Sequence, residues 1–131
     1  MARDVLLRKL LYLRQLLTDL LPYAQATLAD VVAEHYKLER LFELLVATDI
    51  LFHKLAESDL APSSYREAFR LVGEHRLLPV DLARRMPNAA SMRNILVHLY
   101  EQIDYQILHD SIQPVIRDFS QFVDIVAQEL D

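Results

Sequence analysis

At 131 residues, with 53% of them hydrophobic, the chain is sized for one domain with a single core, and the absence of cysteine excludes disulfides and thiolate metal sites. A net charge of −5 at pH 7 argues against a protein that coats nucleic acid by bulk positive charge. One glycine, no tryptophan and a predominance of Leu, Ala, Val, Glu and Arg point to all-helical structure, because strands would have almost nowhere to turn.

Apolar residues at helical spacing, Val5, Leu6, Leu10, Leu13, Leu16, Leu17 and Leu20, predict a first helix over about 3–21, closed by Pro22. Arg8, Lys9 and Arg14 interrupt what could otherwise pass for a leader peptide, so a soluble, cytoplasmic chain is expected. A short helix or turn is predicted over 27–33, then a long amphipathic helix over about 34–57 carrying Leu38, Leu41, Phe42, Leu45, Val46 and Leu55. Glu43, Asp49 and His53 break its apolar run well short of the roughly 20 residues that a membrane span needs. The segment SDLAPSS ends this helix, and Ser64 with Glu67 has capping-box spacing for a third, over about 64–75, with Gly73 near its end.

Pro79 suits the first turn of a short helix within Leu78–Met86. Pro87-Asn88 then separates it from a helix over about 89–109, and Pro114 marks a kink or break before a last helix over about 115–129. No internal repeat, low-complexity tract or linker interrupts the chain, so residues 1–131 read as a single all-α domain, an up-and-down bundle of four to five helices. Charge is uneven along it. Between Arg66 and Arg93 six arginines face only Glu67, Glu74 and Asp81, leaving that segment at +3 and the rest at −8. Most of these arginines are expected to be solvated on helix faces with partners one turn away, although a local phosphate-attracting patch fits the same numbers.

The stretch from Arg93 to Tyr100, RNILVHLY, is the part of the sequence that carries chemistry. Arginine holds phosphate through a forked, permanent charge, and histidine exchanges protons near neutral pH. On a helix, Ile95, Leu96, Leu99 and Ile103 fall on one arc that must face the core. Arg93, Tyr100 and Asp104 cluster opposite, beside a stripe of Asn94, His98, Glu101 and Tyr105. Arg93 and His98 lie about 140° apart on one helix, so one copy converges them poorly on a single phosphate. In a symmetric dimer Arg93 of one chain can approach His98 of the other, with Val97 packed between them.

The candidates are therefore Arg93, His98 and Asn94 as catalytic residues and Tyr100 as a substrate contact, with Asp104 beside them. Asp49 and His53, four residues apart, are given a supporting or structural role. His35, His75 and His109 have no motif around them and read as surface residues. No Glu-x-x-His occurs, which removes a carboxylate-bridged metal bundle, and no Walker loop, Rossmann glycines or serine elbow is present.

In these residues the chain resembles the HepT-like toxins of the HEPN superfamily, whose signature is Arg, a polar residue, three more residues, His, any residue, Tyr. Arg93, Asn94, His98 and Tyr100 match it, and Ile103-Asp104 continues it. The stretch Ser64–Met86 and the Asp49-Ile50 and His53 pattern resemble further blocks of the family, while Met92, Ser91 and Leu45 depart from its usual residues. The resemblance implies a HEPN-like helical bundle forming a homodimer. It further implies a metal-independent endoribonuclease toxin without a cofactor, acting on tRNA or mRNA and paired with a minimal nucleotidyltransferase antitoxin. Such an antitoxin can adenylylate the motif tyrosine, here Tyr100. The competing expectation is a non-catalytic HEPN-type module that binds nucleotides or the nucleotidyltransferase.

Overall fold

The computed structural model describes residues 2–46, 55–56, 59–87 and 104–130. Two helices carry the architecture, and both do so through the same sequence pattern. In α1 (Ala2–Leu20) the buried side chains Leu6, Leu10, Leu13, Leu17 and Leu20 alternate spacings of four and three. In the last helix, α6 (Tyr105–Leu130), Leu108, Ile112, Val115, Phe119, Phe122 and Val126 do the same. A 4-3 alternation lays a straight apolar seam along a helix, and two such seams pair by setting side chains of one between those of the other. The α1–α6 contact is the most extensive between any two elements described. Burying each of these leucines contributes roughly 1.5–3 kcal/mol relative to leaving it in water.

Between the two lie a single turn of 3-10 helix (Leu21–Tyr23), α2 (Leu28–Ala33), α3 (His35–Val46), α4 (Tyr65–Glu74) and α5 (Val80–Arg85). Helix α3 packs on α1 through a face that includes Leu38, Leu41 and Phe42, α2 packs on α6, and α4 packs on α5, which in turn rests on α6. Among the described residues all regular structure is helical, as expected, and no helix is long and apolar enough to cross a membrane.

The ends of these helices follow from local chemistry. Thr27 and Asp30 form a reciprocal capping box at the start of α2, each side chain accepting from the other's backbone N–H at 3.1 Å. Ser64 caps α4 by accepting from Glu67 N–H, but Glu67 does not return the bond to Ser64. Its carboxylate accepts from the backbone N–H and hydroxyl of Ser63, and these two bonds hold it below its ordinary pKa. Helix α4 ends in a Schellman arrangement, with Leu77 N–H on Val72 O at 2.9 Å and Arg76 N–H on Gly73 O at 3.2 Å. The left-handed residue is Arg76, at φ 56°, and not the glycine. Gly73 has another use, since a Cβ there would stand 3.1 Å from Ala83 Cβ, so its lack of a side chain lets α4 and α5 approach.

Two sequence-based boundaries differ from the structure. Pro79 precedes α5 as its cap residue instead of opening its first turn. Pro114 neither ends nor begins a helix, because α6 runs through it from Tyr105 to Leu130. The proline is exposed while Ile112 and Val115 on either side are buried, so the seam continues past it. The last helix, expected from about residue 115, begins ten residues earlier, at Tyr105.

Candidate functional site

Of the residues that the sequence singles out, Arg93, Asn94, His98, Tyr100, Asp49 and His53 lie outside the described residues, and Asp104 lies within them. What the structure describes is the chain on either side of the 88–103 stretch, a leading and a trailing shoulder. The leading shoulder is α5 with Met86. Leu82, Ala83 and Met86 are buried, and Arg85 reaches to α6, its Nε donating to Asp118 Oδ1 at 3.0 Å and its Nη2 to Gln121 Oε1 at 3.2 Å.

The trailing shoulder is the start of α6. Asp104 Oδ1 accepts from the backbone N–H of Gln106 at 2.9 Å and, more weakly, of Ile107 at 3.4 Å, a cap that satisfies donors which the first helical turn leaves open. Tyr105, half-buried, sets its ring 5.1 Å from that of His35 at the head of α3. Asp104, just before α6, and Asp118 within it are fourteen residues apart, about 21 Å of helix rise.

The arginines around the leading shoulder do not behave alike. Arg70 has the expected partners, Glu74 at 2.8 Å and Glu67 at 4.0 Å. Arg85 pairs across 33 residues instead. Arg117 donates its Nε to the same oxygen of Asp118, also at 3.0 Å, so one buried carboxylate carries two guanidinium groups. Arg76 and Arg84 are exposed and make no ion pair among the described residues. The sequence reading missed Asp118. Its signal was an acid at a buried position between Val115 and Phe122, where an unpaired charge would be costly.

A second feature also escaped the sequence reading. His109 is not a free surface residue: its Nδ1 lies 3.0 Å from Asp110 Oδ1 and its Nε2 2.9 Å from the carbonyl of Ala26. Both partners are acceptors, so the doubly protonated ring satisfies both, and the Asp110 bond followed by the Ala26 bond raises the pKa of His109. Asp110 is lowered in return, first by His109 and then by Gln106. Gln113 Nε2 donates to Ala24 O at 2.7 Å. These contacts clasp the turn after α1 onto α6 around a cleft of about 530 Å³. With both ring nitrogens committed, His109 is a fastener and not a base. His35 likewise has partners, in Glu39 at 3.1 Å and the rings of Tyr36 and Tyr105, whereas His75 is exposed as expected. No group of three His, Asp or Glu among the described residues is placed to hold a metal ion.

The sequence profile of the family described as ribonuclease HepT-like matches residues 7–126, from the first turns of α1 to nearly the end of α6. The chain belongs to the HepT-like family. It is 31% identical over 82 residues to the mRNA nuclease HepT of Shewanella oneidensis, a match that covers 62% of this chain and 62% of that protein. The HepT-like profile takes in both shoulders, the α1–α6 pair and the RNILVHLY stretch, so the resemblance read from the motif extends to the framework around it.

Proposed function

We propose that this HepT-like chain is an endoribonuclease toxin that cuts RNA without a metal ion, using Arg93 and His98 brought together across a two-fold dimer. The observation that carries the reading is the Arg93, Asn94, His98 and Tyr100 set within a chain of the HepT-like family. A relative named as an mRNA nuclease supports RNA as the substrate class. His98 acts as general base toward a ribose 2′-hydroxyl or as general acid toward the leaving oxygen, a role worth ~10²–10⁴-fold in rate for a well-placed group. Arg93 neutralises the charge that builds on phosphorus, Asn94 orients the phosphate, and Tyr100 contacts the substrate through its hydroxyl.

Control falls to a nucleotidyltransferase antitoxin that adenylylates Tyr100. The added phosphodiester would put bulk and negative charge beside Arg93 and so compete with RNA. Asp49 and His53 support the site, and Asp104 supports it by capping α6 at the end of the motif stretch.

The test is cleavage of total cellular RNA by purified protein in EDTA, comparing wild type with Arg93→Ala, His98→Ala and Tyr100→Phe, after mass spectrometry has established that Tyr100 is unmodified. Cleavage lost in the Arg93 and His98 variants is the expected result. Equal and negligible cleavage by all four proteins would replace this reading with a non-catalytic binding module.

A further inference from the structure

Asp118 is the one charged side chain found buried among the residues whose exposure is described, at 5%, and its carboxylate meets more positive charge than it can offset. A carboxylate balances one guanidinium, and Asp118 takes two. Both arrive through Nε on the same oxygen, so the bond that fixes each side chain leaves terminal N–H groups over. Arg85 spends Nη2 on Gln121, whereas the terminal nitrogens of Arg117, 61% exposed, make no hydrogen bond among the described residues. Arg84 stands next in sequence to Arg85, exposed and without an ion pair among those residues. Asp81, one turn before Arg85, and Asp124, two turns after Arg117, are exposed acids on the same two helices, and no ion pair joins either to the cluster.

We propose that Arg85 and Arg117, held together on Asp118, and the exposed Arg84 next to Arg85 in the chain bind the phosphodiester backbone of a single-stranded RNA outside the motif. The inference rests on the ribonuclease reading above and names a second contact for the same substrate. Guanidinium N–H groups in a fixed fork match phosphate oxygens, and side chains already pinned by Asp118 lose little freedom when a phosphate arrives. Arg85, Arg117, Asp118 and Gln121 are joined by hydrogen bonds into one polar cluster, whereas a protein-docking surface is built round an apolar centre. Arg85 also stands eight residues before Arg93 in the chain, at the shoulder that leads into the motif stretch.

The test is binding of a labelled 2′-O-methyl oligoribonucleotide, which cannot be cut through a 2′-hydroxyl, followed by fluorescence anisotropy over a range of salt. Arg117→Gln, Arg84→Gln and their combination are compared with wild type, with Arg70→Gln as a control for net charge because Arg70 is already paired with two glutamates. The double variant is expected to bind about 3–10-fold more weakly and to lose about 0.7 from the salt slope for each phosphate contact removed. Arg117→Lys, which keeps the charge, is expected to recover part of the loss.

Unchanged affinity in the double variant, or an equal loss in Arg70→Gln, overturns the proposal. Cleavage of natural RNA, run in parallel, separates the two readings. Wild type that cuts RNA while the double variant binds as tightly refutes the phosphate site alone. Wild type that neither binds nor cuts refutes both.

Discussion

Arg85 Nε donates to Asp118 Oδ1 at 3.0 Å, tying the last turn of α5 to the middle of α6 across 33 residues of sequence. That bond fastens the chain immediately before the 88–103 stretch. Because Asp118 is buried, removing it leaves Arg85, half-buried, without its counter-charge. Asp118→Ala is therefore expected to cost about 1.5–3 kcal/mol in urea denaturation, the range for a hydrogen bond to a charged group. Arg117→Ala should cost less, about 0–1 kcal/mol, because Arg117 is mostly exposed and Arg85 still pairs with Asp118. Equal losses in the two variants would contradict the division of labour between the arginines.

Asp104 can be tested as a cap separately from any part in catalysis. Asp104→Ala removes the acceptor for Gln106 N–H and should cost about 1 kcal/mol of stability. Asp104→Ser keeps a capping oxygen but no charge. If capping is its whole contribution, Asp104→Ser should retain stability and, on the proposed ribonuclease reading, RNA cleavage. A serine variant that folds like wild type yet loses cleavage would show that the carboxylate acts on the motif itself.

How much of this was legible in advance depended on whether a feature is periodic or long-range. The α1 seam was readable because its leucines recur every three or four residues, and six of the seven apolar positions picked out there, all but Val5, are buried. Ser64 was readable as a cap because its partner is three residues away. Pro114 misled because a proline usually stops a helix, and nothing local reveals that the seam on either side would carry α6 through. Gly73 does sit near the end of α4, as its place in the sequence suggested, but the contact that explains it lies on Ala83 in another helix, which no local pattern reveals. Arg85 with Asp118, and His109 with Ala26, join residues far apart in sequence, and no spacing rule announces such pairs. For the candidate site, the motif residues were legible as a set of residue types, and of these the structure describes Asp104 alone.

The His109 clasp carries a pH signature whose sign is fixed by its partners. The pKa of His109 is raised, so its contribution to stability is fully present below its ordinary value of 6.5 and is lost as pH rises through the higher folded value. The pKa of Asp110 is lowered, so its contribution is present above its ordinary 3.8 and is lost as pH falls through the lower folded value. The gap in Tm between wild type and His109→Gln should therefore be widest between these two values and should narrow above neutrality. A gap that widened from pH 6 to pH 8 would mean that the ring is held neutral and that the geometry around Ala26 O has been misjudged.

The end of α4 gives the last prediction, and it sets two backbone effects against each other. Arg76 occupies a left-handed conformation at φ 56°, which costs a residue with a side chain about 1–2 kcal/mol. Arg76→Gly relieves that cost but gives back entropy in the unfolded chain, so a net gain of about 0.5–1 kcal/mol is expected. Gly73 responds in the opposite direction. A side chain larger than a methyl group has to enter the space where Cβ would already stand 3.1 Å from Ala83, so Gly73→Leu should push α5 away from α4 and cost about 1–3 kcal/mol. Because α5 leads into the motif stretch, the proposed ribonuclease reading expects Gly73→Leu also to lower RNA cleavage, while Arg76→Gly leaves it unchanged. Paired denaturation and cleavage measurements on the two variants check this, and a Gly73→Leu protein with full activity would break the proposed link between the α4–α5 contact and the site.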